Sequence, residues 1–310
     1  MRPKVSIIGA GNVGATTALW IAAKDFADVV LLDIVDGMPQ GKALDLLQSG
    51  PVEGFNTKIK GTNNYEDTKD SDVVVITSGI PRKPGMSRDD LIATNTKIVK
   101  EVTQNVAKHS PNSIIIVVTN PLDAMVYVAS KASNFPHNRI LGMAGILDSA
   151  RFKTFIAQEL NVNVEDIDAM VLGGHGDTMV PLLGHSKVKD VSITKLMSAE
   201  KIEAIVKRTR DGGAEIVNLL KTGSAYYAPA ASTAQMVEAI LKDKKSVLPC
   251  AAYCGKEYNV NGHFVGVPVQ LGRKGAEKVI ELNLTHEEKE AFQKSVEHVK
   301  QLVAVTEKFL

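Results

Sequence analysis

The stretch Gly9-Ala-Gly-Asn-Val-Gly14 constrains this chain more than any other. It follows the β-rich run Lys4-Val-Ser-Ile-Ile8 without a break and leads into the apolar run Ala15-Thr-Thr-Ala-Leu-Trp-Ile-Ala-Ala23. A second strand-like run, Asp28-Val-Val-Leu-Leu-Asp33, ends on an acid 19 residues after Gly14. A G-x-G-x-x-G alone is weak evidence, but between two strands and opening a helix it specifies a dinucleotide-binding unit. Gly9 allows the tight turn, Gly11 lets the backbone approach a pyrophosphate, and Gly14 lets helix and strand pack closely. The free N–H groups of the helix start then favour phosphate. Asp33 would accept hydrogen bonds from adenosine ribose hydroxyls and repel a 2′-phosphate, so the expected cofactor is NAD rather than NADP.

Two further apolar runs, Ser71-Asp-Val-Val-Val-Ile-Thr77 and Ser113-Ile-Ile-Ile-Val-Val-Thr119, suit strands of a parallel sheet covered on both faces. The expected fold class is therefore α/β, a Rossmann-type doubly wound parallel sheet. After the first run comes Ser78-Gly-Ile-Pro-Arg82-Lys-Pro-Gly85-Met-Ser-Arg88, whose prolines and glycines prevent it from continuing strand or helix. At the carboxyl end of a parallel strand such a loop overhangs the ligand site, making Arg82 and Arg88 candidate anion contacts on a lid. The spacing predicts a helix over 89–108. Asn120-Pro121 stops the next strand at its carboxyl end, where the Asn120 amide can donate to a ligand oxygen. Tyr127-Val-Ala-Ser-Lys131 fits the Y-x-x-x-K pair of short-chain dehydrogenases, but it reads as one face of a helix over 122–133, behind a differently spaced glycine motif.

His175 lies in Gly173-Gly-His-Gly-Asp177, straight after an apolar strand end. Flanking glycines leave it uncovered and let another molecule come near, and imidazole titrates near neutral pH, which suits proton transfer. Asp148 and Arg151 stand three residues apart at the start of a helix predicted over 149–159, on one side of it. An N-cap with a salt bridge is the plainer alternative for that pair.

The 310 residues suffice for about two domains, and the change of pattern places the boundary near 148: an NAD-binding domain over 1–148 and a substrate domain over 149–310. The second half reads as α+β: edge strands over 185–193, a helix over 198–220 bent at Gly212-Gly213, and a small-residue stretch over 223–233 entering another helix. An antiparallel meander is expected over 246–254, 264–271 and 278–282, with Thr285-His-Glu-Glu288 capping a final helix. Lys+Arg is 36 against 35 Asp+Glu, a net charge of +1, which gives no electrostatic case for nucleic acid or an acidic membrane. Cys250 and Cys254, in C-x-x-x-C, match neither metal knuckle nor redox motif and read as packed, reduced thiols; no metal is expected. No apolar run approaches the roughly 20 residues of a membrane helix. The run after Lys4 stops too soon for a signal core, so a cytoplasmic location is expected.

In Gly9-Ala-Gly-Asn-Val-Gly14, Ile80-Pro-Arg-Lys-Pro-Gly-Met-Ser-Arg88, Thr119-Asn-Pro121, Leu147-Asp-Ser-Ala-Arg151 and Gly173-Gly-His-Gly-Asp177, the chain resembles the NAD-dependent malate/lactate dehydrogenase family over essentially its full length. It looks most like the lactate-dehydrogenase-like group of the malate enzymes. The resemblance implies hydride transfer between NAD(H) and malate/oxaloacetate, with His175 exchanging the proton and Asp148 fixing its tautomer. It implies that Arg151 grips the C1 carboxylate, Arg88 polarises the carbonyl and Asn120 hydrogen-bonds the substrate. Cofactor contacts are implied at Gly9, Ala10, Gly11, Asn12, Val13, Gly14, Asp33, Asn95, Val118 and Asn120. A cis Asn120-Pro121 bond and a homotetramer or homodimer are implied too. Family lactate dehydrogenases carry glutamine where this chain has Arg82, which here supplies a counter-charge for a second carboxylate. The alternatives are a lactate or other 2-hydroxy-acid dehydrogenase, which Arg82 argues against, and a non-catalytic NAD-binding scaffold, which would be free to lose His175 or Asp148.

Overall fold

The computed structural model describes residues 2–81 and 85–310. In the first half β1 (Lys4–Ile8), α1 (Asn12–Ala23), β2 (Asp28–Leu32), α2 (Met38–Glu53), β3 (Ile59–Thr62), β4 (Val73–Ile76), α3 (Arg88–His109), β5 (Ile114–Val117), α4 (Leu122–Ser133) and β6 (Ile140–Gly142) alternate almost strictly. The second half contains α5 (Gly145–Leu160), then the short strands β7 (Ile167–Asp168), β8 (Val171–Leu172), β9 (Val180–Pro181), β10 (Lys187–Val188) and β11 (Val191–Ser192). Helices α6 (Ile193–Leu196), α7 (Ala199–Leu220) and α8 (Tyr227–Leu241) follow, then β12 (Ser246–Cys254), β13 (His263–Gly272), β14 (Gly275–Val279) and α9 (His286–Thr306).

Strands β1 to β6 pair in parallel in the order β3-β2-β1-β4-β5-β6, so the expected doubly wound sheet is present. β4 and β5 are buried at every position, as their unbroken Val/Ile runs require. One face packs Ala18, Ile21 and Ala22 of α1 with Met236, Val237 and Ile240 of α8. The other packs Ile92 and Val99 of α3, Met125 and Val128 of α4 and Leu302 of α9. The direction of winding reverses between β1 and β4, and their carboxyl ends open the crevice in which such sheets bind ligands.

The long antiparallel strands of the second half extend this sheet. β12 pairs with β6 through Ala251 and Gly142, β13 pairs along β12, and β14 forms the edge, giving nine strands in all. β14 occupies 275–279 rather than 278–282. It is an edge strand bearing Glu277 and Lys278, and such polar edges carry no strong apolar alternation. Helix α5 begins at Gly145, four residues before its predicted start, so a division after Asp148 falls inside it. Gly145 is a packing requirement: a Cβ there would lie 2.7 Å from the Val171 carbonyl oxygen. Helix α7 continues through Gly212-Gly213, the expected site of a bend. Both cysteines are buried and free, and burial pushes the Cys254 thiol up to about 12. Among the described residues no helix is long and apolar enough to cross a membrane.

Candidate active site

The dinucleotide loop has the geometry its glycines demand. Gly9 has φ +111°, and a Cβ there would meet the Thr77 hydroxyl at 2.6 Å. A Cβ on Gly14 would lie 1.9 Å from the Gly9 carbonyl oxygen, so helix and strand touch at this point. Gly11, the N-cap of α1, faces open space. No side chain caps α1 and no acid stands in its first turn, which leaves its N–H groups to a phosphate. The Asp33 carboxylate accepts from the backbone N–H of Ala10 at 2.7 Å and of Val35 at 3.0 Å, which fixes it at the carboxyl end of β2. A cleft of about 1270 Å³ runs from Gly11 past Asn12, Val13 and Gly14 to Val118 and Asn120. Its size and its naked helix terminus fit a dinucleotide.

Asn120-Pro121 is cis, as the resemblance implied. Asn95 is buried; its carboxamide donates to the carbonyl oxygens of Asn120 (2.7 Å) and Ile80 (3.1 Å) and accepts from the Ile80 N–H (2.9 Å). It thus ties the start of the lid loop to the Asn120 turn behind the cleft wall.

A second cavity, of about 350 Å³, shares Val13, Val118 and Asn120 with the cleft and is lined by His175 and Arg151. His175 Nδ1 lies 2.8 Å from Asp148 Oδ2, and Arg151 Nη1 lies 3.3 Å from Asp148 Oδ1. The pair that spacing placed together, Asp148 and Arg151, and the His175 that the resemblance adds to it therefore meet at one carboxylate. Asp148 is almost completely buried, while the Arg151 and His175 side chains keep 13% and 15% exposure toward the cavity. With Nδ1 held by a carboxylate, Nε2 is the nitrogen left for chemistry, lone pair when neutral and donor when charged. Burial opposes the imidazolium, but the charge and hydrogen bond of Asp148 outweigh it, and the pKa of His175 is raised.

Two of the glycines beside His175, Gly173 and Gly174, have a packing purpose that the sequence did not show. A Cβ on Gly173 would come within 2.6 Å of Ser295 Oγ, and one on Gly174 within 2.7 Å of Val299 Cγ2. These two are small so that the loop can lie on α9, whereas Gly176, with φ +132° and open space around it, lines the cavity beside His175. The Gly174 N–H donates to Ser295 Oγ at 2.8 Å, and the His175 N–H to Asp123 Oδ2, also at 2.8 Å. Asp123, in the first turn of α4, is a buried second carboxylate that sequence reasoning missed. Burial is the main cause that pushes it up to about 6, against the stabilising His175 N–H. Its one sequence signal is its place three residues after Asn120, on the turn that the cis bond creates.

Gly212 and Gly213 have a packing role that the sequence did not show. A Cβ on Gly212 would lie 3.1 Å from Arg151 Cδ, and one on Gly213 3.6 Å from Arg151 Nη2. The pair leaves room for the guanidinium beside an intact helix. Two residues before Gly212, Arg210 adds another cation to the cavity lining. Arg88 is not brought to this group; it contacts His298 on α9 instead. Arg82 lies outside the described residues.

The lactate/malate dehydrogenase NAD-binding domain matches residues 3–142, and the alpha/beta C-terminal domain of the same family matches residues 146–310. The malate dehydrogenase of Heliobacterium modesticaldum is 62% identical over 305 residues, 98% of this chain and 99% of that one. The crystal structure of Cryptosporidium parvum malate dehydrogenase superposes with a TM-score of 0.97 at 49% identity, covering 99% of this chain and 100% of that one. The lactate dehydrogenase of Cryptosporidium parvum, solved with lactic acid and nicotinamide adenine dinucleotide, gives 0.96 at 44% identity, covering 99% and 98%. With both halves matched and the dinucleotide cleft opening onto the His175–Asp148 pair, this chain belongs to the lactate/malate dehydrogenase family and is an NAD-dependent oxidoreductase.

Proposed function

We propose that the chain is a malate dehydrogenase, interconverting malate and oxaloacetate. The observation that carries this reading is the His175 Nδ1–Asp148 Oδ2 contact of 2.8 Å, at a cavity continuous with the dinucleotide cleft. The relatives named malate dehydrogenase, at about 60% identity, support the choice of substrate.

When bound, the nicotinamide cofactor supplies or accepts the hydride. Gly9, Ala10, Gly11, Asn12, Val13 and Gly14 would hold its pyrophosphate on the start of α1, and Asp33 its ribose hydroxyls. Val118 and Asn120 form the wall shared with the substrate cavity, with Asn95 fixing that wall from behind. In reduction, His175 Nε2 gives its proton to the ketone oxygen as that oxygen gains charge; in oxidation it takes the hydroxyl proton. Asp148 stabilises the imidazolium and holds the ring by Nδ1. Arg151 presents a planar fork to the C1 carboxylate, Asn120 donates to a substrate oxygen, and Arg88, once turned inward, polarises the carbonyl. The cofactor half is taken as 1–148 and the substrate half as 149–310; the family matches divide the chain a few residues earlier, between 142 and 146. Association as a homodimer or homotetramer, which the family resemblance implies, belongs to the same reading. A cytoplasmic location accords with two free, buried cysteines.

Arg82 sets the substrate by charge. At an effective dielectric near 20, a unit ion pair at about 4 Å is worth about 4 kcal/mol, roughly a thousandfold. Oxaloacetate offers the second carboxylate; pyruvate offers a methyl group and leaves the cation unpaired. The Arg82→Gln variant is expected to lose oxaloacetate kcat/KM by two to three orders of magnitude, at the scale of that pair, while its pyruvate kcat/KM rises. An unchanged ratio of the two substrates would remove Arg82 from this role.

A further inference from the structure

Arg88, the first residue of α3, points its Nη2 at Nε2 of His298, 2.7 Å away on α9. His298 stands one helical turn beyond Ser295, whose hydroxyl receives the Gly174 N–H. One side of α9 therefore supports the His175 loop and also provides the partner of Arg88. A guanidinium can only donate, so this contact needs the lone pair of a neutral imidazole; the imidazolium has none and repels a second cation.

We propose that His298 is a positioning residue for Arg88: neutral, it parks the guanidinium on α9 outside the substrate cavity, and protonated, it releases it toward the substrate. The inference rests on the assignment of Arg88 to the substrate carbonyl made above. Burial and the Arg88 charge hold His298 below its ordinary pKa, and Asp177 on the His175 loop opposes them. Release is therefore an acid event, below 6.5, whereas His175, with its pKa raised, titrates on the other side of that value.

Other charges surround the contact. On α3, Asp89 and Asp90 follow Arg88, and Asp90 is engaged by the Ser87 hydroxyl and N–H. On α4, Asp123 faces the His175 N–H. On α9, Lys294 precedes His298 by one turn, and Glu297 pairs with Lys300 at 2.6 Å. On β13, His263 senses both of the latter charges. Because Asp123 also titrates near 6, the test compares variants that all retain it.

The experiment is kcat/KM for oxaloacetate from about pH 5 to about pH 9 in the wild type, His298→Gln and His298→Ala. In the wild type it should rise about two- to fivefold as pH falls below 6.5, the scale of one exposed polar contact. His298→Gln keeps an acceptor at every pH, so it should stay at the lower level and lack that rise. His298→Ala has no acceptor, so it should sit at the higher level throughout. Superimposed profiles, or an acid rise retained in His298→Gln, would overturn the proposal. If neither variant folds, the wild-type profile still decides, since a missing acid rise contradicts the release. Arg88→Ala separates the two levels of the argument. If it is as active as the wild type, the carbonyl assignment itself fails; if it is impaired while the His298 profiles superimpose, only the His298 role fails.

Discussion

His175 is an acid–base group because of what holds it. Asp148 takes its Nδ1, Asp123 takes its backbone N–H, and burial strips away the water that would otherwise compete. Its raised pKa fixes the sign of the pH dependence. Oxaloacetate reduction needs the imidazolium, so kcat/KM should fall as pH rises through that raised pKa and, apart from the acid rise assigned to His298, hold below it; malate oxidation should rise across the same window. Asp148→Asn removes the charge that stabilises the imidazolium. The alkaline fall of reduction should then move to lower pH, and kcat should drop about a hundredfold or more. An unmoved pH profile with near-normal kcat would show that Asp148 only packs against the ring. His175, Asp148 and Arg151 were legible because each sits in a short local pattern. Asp123 and Ser295 were not, since their function depends on α4 and α9 converging on one loop, which no local spacing encodes.

At the scale of elements, the periodic and capped segments were the readable ones. Helix α4 spans 122–133 as its pattern predicted, and the Thr285-His-Glu-Glu288 capping box does start α9. What misled was glycine, because a missing Cβ serves a turn and a tight contact equally well. Gly173 and Gly174 let a loop rest on α9, and Gly212 makes room for Arg151. The last case separates stability from function. Alanine is favoured over glycine inside a helix by about 0.5–1 kcal/mol, so Gly212→Ala should keep or raise the Tm of the protein. The added methyl crowds Arg151 at 3.1 Å and should raise the oxaloacetate KM several-fold to about tenfold, measured by initial rates. A lowered Tm with unchanged KM would mean that the glycine serves the helix rather than the arginine.

For the molecule as a whole, the sheet decides where chemistry can occur. Winding outward from β1 and β4 leaves one crevice at their carboxyl ends, and the dinucleotide loop, the Asn120 turn and the lid loop all open there. The second half returns across the same sheet through β12 to β14, and α9 then supports the His175 loop beside that crevice. The parallel core was legible from its Val/Ile runs. The junction of the two halves into one nine-stranded sheet was not, because it rests on the pairing of Ala251 with Gly142, two small residues with no pattern of their own. The central claim is that this crevice reduces a dicarboxylate 2-oxo acid at His175. Its most direct test is the loss of NADH absorbance by the purified protein, with oxaloacetate and pyruvate under identical conditions. Oxaloacetate should be turned over with kcat/KM larger by about two to three orders of magnitude, the scale of one added ion pair. Equal or faster turnover of pyruvate would contradict the claim.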